Sequence, residues 1–276
     1  MYTTNPHRLL PLPTRYNLYF CHSHCFSGSK EGGVNIFNCH NINIVNCSFE
    51  NNNSTGQFAR TRFQGSSGGL SIGMYRDTAA QSAEVSVVVH SCSFINNQAH
   101  AFGSNTHTAT SFLSSNIITG RGAGMSLTID SNNAVCSYVN YNHLEKNTAR
   151  VYGGGLYFLV NEVTKNQTYL FSENVFINNQ ALLTSGAMIY GLVGMVYAGS
   201  SINVKIFRNY FEGNMAQLGG AFRFQRPTGN QGNYLVFNNC TFNRNMAIEN
   251  GAAIGISKAQ FFNFDQRTIP ISIANW

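Results

Sequence analysis

The stretch CHSHC holds four metal-ligating side chains within five residues: Cys21, His22, His24 and Cys25. Cysteine and histidine are zinc ligands, and a tetrahedral site usually draws them from two separated pairs. Side chains alternate along a strand, so Cys21 and Cys25 face one side and His22 and His24 the other. The four converge only across a turn. The competing reading is a divergent first repeat, in which Cys25 precedes Phe26 much as Cys47 precedes Phe49. The sequence predicts neither a metal nor a cofactor.

Glycoside hydrolysis needs two carboxylates flanking one bond. The chain has three aspartates, Asp77, Asp130 and Asp265, and its glutamates are dispersed. Glu50 and Glu212 each follow an inward-facing phenylalanine. They are expected outward on one strand face, two or more repeats apart and too isolated for a dyad. The clustered aspartates of a Ca²⁺ site are missing as well. No catalytic residue is expected, and the chain does not read as an enzyme.

Charged residues make up 10% of the 276 positions, and the net charge is +6. An ordinary soluble domain carries about 25%. Asn, Ser, Thr and Gly fill the difference, a surface common in extracellular β-proteins. The basic residues are scattered, with Arg60 and Arg62, Lys205 and Arg208, and Arg223 and Arg226 the tightest groups. That pattern lacks the footprint of a nucleic-acid binder. No signal peptide is visible, because prolines interrupt the N-terminal apolar stretch. No apolar run reaches membrane length. Ala187 to Gly199, the nearest, reads as a strand and loop.

The elements that position these side chains follow from a repeat. Phe49-x-x-Asn52, Phe94-x-x-Asn97, Phe176-x-x-Asn179, Phe211-x-x-Asn214 and Phe242-x-x-Asn245 share one pattern, and Leu144-x-x-Asn147 is the same unit. Alanine recurs two residues later at Ala99, Ala149, Ala181, Ala216 and Ala247. Glycine then follows, at Gly154-Gly155, Gly186, Gly219-Gly220 and Gly251. The last four anchors are 32, 35 and 31 residues apart, a period that signals a stacked array. Apolar residues after the glycine alternate in twos, as in GMSLTID, which is strand periodicity. Each repeat has room for about three short strands. The expected fold is all-β, a right-handed parallel β-helix of about six to seven coils. It covers 21–276, after a poorly defined segment 1–20, and reads as a piece of a longer solenoid.

In such a coil the phenylalanines stack inward. The asparagines sit at a bend, tolerating left-handed backbone and bonding to one another as a ladder. Glycine supplies positive φ at the next bend. Cys47, Cys92 and Cys240, two residues before the anchor, share its inward side. Cys47 and Cys92 either stack as thiols or, on an oxidising route, bridge. Of the Asn-x-Ser/Thr sequons, Asn166, Asn46 and Asn239 are candidate glycan acceptors, whereas Asn52 belongs to the ladder.

Phe-x-x-Asn with the downstream Gly219-Gly220-Ala221-Phe222 resembles the repeats of chlamydial polymorphic outer-membrane proteins. It is similar also to the β-helix repeats of uncharacterised secreted eukaryotic proteins of pectin-lyase-like fold. The resemblance spans about Cys25 to Ser257. It implies a passenger-like surface module, often adhesive, with no catalytic residue. The expected function is therefore a non-catalytic extracellular or cell-surface module for adhesion or ligand binding. A polysaccharide lyase or glycoside hydrolase is the alternative, and a structural spacer the second. Loops at one phase of the repeat are the expected site for a protein or glycan partner. The apolar loop at Leu192, Met195 and Tyr197 is the leading candidate.

Overall fold

The computed structural model describes residues 17–19, 25–28, 32–37, 39, 41–54, 67–74, 85–100, 121–129, 134–161, 165–182, 185–192, 200–225, 233–257 and 262–264. Its secondary structure is all β, and the strands form four parallel sheets. The chain visits them in a fixed order, once per pass, an arrangement compatible with a parallel β-solenoid.

Sheet A has eight strands: Asn17–Tyr19, Asn41–Val45, Val85–His90, Val135–Asn140, Gln167–Ser172, Ile202–Phe207, Asn233–Asn238 and Phe262–Phe264. Sheet B has seven three-residue strands: Cys25–Ser27, Ser48–Glu50, Ser93–Ile95, His143–Glu145, Val175–Ile177, Tyr210–Glu212 and Thr241–Asn243. Sheet C has six: Asn53–Ser54, Gln98–Ala99, Thr148–Ala149, Gln180–Ala181, Met215–Leu218 and Met246–Asn250. Sheet D has seven: Val34–Phe37, Leu70–Met74, Met125–Ile129, Leu156–Val160, Met188–Leu192, Phe222–Gln225 and Ile254–Ser257. Sheet A therefore starts at Asn17, inside the segment that the sequence leaves undefined.

Four strands per pass replace the three expected. The Phe-x-x-Asn unit hides the difference, because a bend falls inside it. Phe49 lies in sheet B and Asn53 already in sheet C, with a single left-handed residue, Asn51 (φ 54°), turning the chain between them. The same position is left-handed at Asn96, Lys146, Asn178, Gly213 and Arg244. The bend residue is thus the one before the ladder asparagine, which corrects the expectation for Asn52, Asn97, Asn147, Asn179, Asn214 and Asn245. The left-handed residue turns its own side chain outward and delivers the next one inward. A second series marks the bend from sheet A to sheet B: Asn46, Ser91, Tyr141, Glu173, Arg208 and Asn239, all with φ between 51° and 57°.

The bend into sheet D uses glycine for two reasons. Gly153 has φ 62°, where a Cβ is strained. Gly154 has no positive φ, but a Cβ there would lie 2.4 Å from the carbonyl oxygens of Gln180 and Gly186. The alanines are small for a strand, not a bend. Ala99, Ala149, Ala181 and Ala216 lie in sheet C and pack with Ala123 in one buried cluster.

The core runs the length of the stack between the sheets. Phe26, Phe49, Phe94, Leu144, Phe176, Phe211 and Phe242 are in mutual register in sheet B. Phe49 and Phe94 stack with centroids 4.8 Å apart, and Phe176, Phe211 and Phe242 at 4.9 Å. That is the strand spacing of a sheet, so each ring meets its copy without any tilt of the backbone. Burying each ring contributes about 1.5–3 kcal/mol.

Candidate functional site

The ladder asparagines are satisfied within the protein. Each Asn donates its backbone N–H and its Nδ2 to Oδ1 of the next Asn. This runs from Asn52 through Asn97, Asn147, Asn179 and Asn214 to Asn245. Nδ2 also donates to the carbonyl of the anchor residue in the preceding pass, such as Asn97 to Phe49 at 2.8 Å. The row is structural.

A second inward row follows the other bend, and sequence reasoning saw only half of it. Asn142, Asn174 and Asn209 bond in the same way. Cys47, Cys92 and Cys240 hold the equivalent positions two residues before the anchor. Asn142 Nδ2 donates to Val89 O at 3.0 Å; Cys92 Sγ lies 3.6 Å from Ile44 O and Cys240 Sγ 3.4 Å from Ile206 O, the corresponding carbonyls. A thiol replaces the amide as a weak donor. Burial pushes the Cys92 thiol up to about 12 and Cys240 to about 11. Cys47 and Cys92 form no disulfide, and neither do Cys25, Cys39, Cys136 and Cys240. The signal for this row was in the sequence, because the residue two before the anchor is always Cys or Asn from Cys47 onward.

Cys25 is not the counterpart of Cys47. It pairs in register with Ser48 and is exposed, whereas Cys47 is buried one residue earlier. Cys21, His22 and His24 lie outside the described residues. Among the described residues no group of three or more His, Cys, Asp or Glu converges.

Three glutamates, Glu50, Glu145 and Glu212, stand in one outward file on sheet B. Glu50, Ile95, Glu145, Ile177, Glu212 and Asn243 are in register. An isoleucine separates successive glutamates, so their backbones lie about 9.6 Å apart, two strand spacings. Each carboxylate is engaged within the sheet: Glu145 with His143 at 3.0 Å and Lys146 at 2.8 Å, and Glu212 with the Tyr210 hydroxyl at 2.7 Å and Asn243 at 3.1 Å. Hydrogen bonds from Lys146 and His143 hold Glu145 below its ordinary value, the reverse of what a general acid needs.

Sheet A presents a different outer face. Its central outward file is Asn43, Val88, Tyr138, Leu170, Lys205 and Val236, fixed by register. Tyr138 is 39% exposed and Tyr234, in the neighbouring file, 52%. Tyr141, at the bend, lies 5.2 Å from the His90 ring. Asn203, Thr168 and Asn140 lie between these rings in the flanking files. The one carboxylate described on this face and its bend, Glu173, is paired with Arg208. The face thus carries exposed rings and apolar side chains among neutral amides and hydroxyls, with Lys205 exposed in its central file.

Sheet D is buried on both faces at Leu70–Met74, Met125–Ile129 and Leu156–Val160. Tyr157, Leu159 and Ile189 of this sheet form an apolar cluster with Val151 and Tyr152, separate from the main core. Arg121 enters this cluster, with its guanidinium carbon 5.0 Å from the Tyr157 ring centroid and 5.8 Å from that of Tyr152.

The remaining candidate residues are placed as follows. Leu192 ends a sheet-D strand; Met195 and Tyr197 lie outside the described residues. The loops expected at one phase fall between a sheet-D strand and the next sheet-A strand, whereas the two longest connections, Ser54 to Leu70 and Ala99 to Met125, fall between sheets C and D. Asn166 is exposed, and its Oδ1 accepts from the backbone N–H and hydroxyl of Ser201. Asn46 and Asn239 are exposed left-handed bend residues, and Asn52 is buried. Among the described residues no helix is long and apolar enough to cross a membrane.

No protein-family model, curated protein or solved structure matches the chain.

Proposed function

We propose that the chain is a right-handed parallel β-helix of pectin-lyase-like type, with about six to seven coils, acting as a non-catalytic extracellular or cell-surface binding module. The observation that carries this reading is the outer face of sheet A. Tyr138 and Tyr234 stand exposed on a surface whose geometry repeats with every strand. Amide and hydroxyl groups, Leu170 and the exposed Lys205 lie on the strands between them, and the face carries no unpaired carboxylate among the described residues. Exposed aromatic rings on a rigid platform suit the apolar face of a sugar ring, and neighbouring amides and hydroxyls suit its hydroxyl groups. A glycan chain is the ligand class that fits. Large apolar residues clustered on a surface mark interaction sites more often than chance.

The non-catalytic part rests on Glu145, whose partners keep it ionised, and on glutamates that stand in file with isoleucines between them. The test is binding of immobilised polysaccharides and glycoproteins by the full chain and by Tyr138→Ala and Tyr234→Ala. Binding that falls in both variants, with unfolding unchanged, supports the reading. A ligand retained equally by both variants overturns the assignment of this face.

A further inference from the structure

We infer, resting on the extracellular reading above, that Asn46, Asn166 and Asn239 carry N-linked glycans that line the two margins of sheet A and leave its outer face bare. The chain has five Asn-x-Ser/Thr sequons, at Asn46, Asn52, Asn53, Asn166 and Asn239. The motif alone does not separate them; the pleat does. Side chains alternate along a strand, so the acceptor and the hydroxyl residue of a sequon share one side and the middle residue takes the other. In Asn166-Gln167-Thr168 the middle residue is buried, and Asn166 and Thr168 face outward. In Asn46-Cys47-Ser48 and Asn239-Cys240-Thr241 the left-handed bend residue turns outward, the cysteine is buried, and the hydroxyl residue faces outward on sheet B. All three acceptors are exposed. Asn52-Asn53-Ser54 runs in the opposite phase, with Asn52 and Ser54 buried. Asn53 is half-buried, and its Oδ1 is enclosed.

The atom that receives the sugar is Nδ2. Asn166 Oδ1 is held by the backbone N–H of Ser201 at 3.0 Å and its hydroxyl at 3.1 Å, which leaves Nδ2 as the free end of the amide. Asn52 Nδ2 instead donates to both Phe26 O and Asn97 Oδ1, so a sugar there breaks the ladder. In the transfer, Nδ2 bonds to the anomeric carbon of an oligosaccharide carried on a lipid pyrophosphate. The bond from that carbon to the pyrophosphate oxygen breaks, the pyrophosphate leaves with the electron pair, and Nδ2 loses one proton. The transferase and the lipid-linked donor are those of a secretory host. Asn166 immediately precedes the sheet-A strand Gln167–Ser172, whereas Asn46 and Asn239 immediately follow Asn41–Val45 and Asn233–Asn238. Five strand steps separate the latter two, about 24 Å, so their sugars do not crowd each other. N-linked sugar is bulky and solubilising. It covers the two rims of sheet A, while Tyr138 and Tyr234 lie inside them.

The test expresses the full chain behind a cleavable export leader in a eukaryotic secretory cell, and scores only secreted, protease-resistant protein. Enzymatic release of N-linked sugar converts each modified Asn to Asp, which mass spectrometry locates. The expected result is sugar on Asn46, Asn166 and Asn239 and none on Asn52 or Asn53. Ser48→Ala, Thr168→Ala and Thr241→Ala, which spare the acceptor and its backbone, should each remove one glycan. Ser54→Ala, which destroys the Asn52 sequon without touching the ladder, should remove none. Folded chain bare at all three outward sites overturns the modification, and sugar on Asn52 in folded chain overturns the role of the pleat. The leader supplies export, so neither result bears on the extracellular reading itself. Polysaccharide binding that appears only after the sugars are released overturns the bare face. Binding that is absent with and without them counts against the sheet-A assignment instead.

Discussion

Asn97 donates both its backbone N–H and its side-chain Nδ2 to one atom, Oδ1 of Asn147, at 3.0 Å in each case. One oxygen therefore satisfies two buried donors of the preceding pass. Removing the Asn147 amide leaves the Asn97 backbone N–H and one of its two Nδ2 hydrogens without a partner, the other staying on Phe49 O, and also frees the carbonyl of Phe94, which Nδ2 of Asn147 caps at 2.8 Å. Each orphaned group costs about 1–3 kcal/mol. Asn147→Ala is expected to destabilise by roughly 3–5 kcal/mol on that basis, measured by urea unfolding. A loss no larger than that of an exposed Asn→Ala change, such as Asn178→Ala, contradicts the account.

Phe176 has rings of the same file on one side and Leu144 on the other. Phe176→Ala should cost about 3–5 kcal/mol. Phe176→Leu should cost clearly less, because leucine already serves at position 144. Equal losses in the two variants would mean that stacking, not volume, dominates the file.

Cys92 and Cys240 should resist alkylation in the native state at mildly alkaline pH, since burial keeps both protonated. Exposed Cys25 should react readily. The folded thiol holds its proton more tightly than the unfolded one. Its contribution to stability is complete below the ordinary value of 9.0 and is lost as pH rises from there towards about 12. Cys92→Asn should weaken that alkaline decline.

Glu145 works in the opposite direction. Its folded value is lowered, chiefly by the hydrogen bonds from Lys146 and His143. Its contribution is present above the ordinary value of 4.5 and fades as pH falls through the lower folded value. Thermal unfolding between neutral pH and pH ~3 should show a smaller acid loss in Glu145→Gln than in the unmodified chain. Parallel curves would remove Glu145 from the acid response.

Arg244 occupies left-handed backbone at φ 49° and is exposed. A non-glycine residue there costs about 1–2 kcal/mol, and glycine returns part of that through greater freedom of the unfolded chain. Arg244→Gly is expected to stabilise by about 0.5–1 kcal/mol. Destabilisation would show that the arginine side chain makes a contact of consequence.

What the sequence disclosed depended on whether a position carries one residue type or several. The anchor file is phenylalanine at five of its six positions from Phe49 to Phe242, so its spacing is readable by eye. The bend before it holds Asn, Ser, Tyr, Glu, Arg and Asn in turn. There the requirement is a backbone angle, which many side chains meet at a modest cost, and no letter betrays it. The thiol–amide row failed for a related reason: cysteine and asparagine look unrelated as letters, yet both place a donor against the same carbonyl. The surroundings of Arg121 were invisible because they come from Tyr152 and Tyr157, which the chain reaches only in its next pass. Sheet registers, rather than local spacing, bring those three together.

The ladders that join one pass to the next have a mechanical consequence. Their hydrogen bonds, and both inward side-chain rows, point along the stack rather than around it. Tension between the two ends of the protein loads those bonds one layer at a time, starting at whichever terminal layer is weakest. A layer contains 31, 32 or 35 residues between successive ladder asparagines from Asn147 to Asn245. Peeling one free releases roughly 100–120 Å of extended chain. Under a steady pull the molecule lengthens in discrete increments and keeps the remaining layers folded, so it behaves as a ratcheted shock absorber rather than a single brittle link.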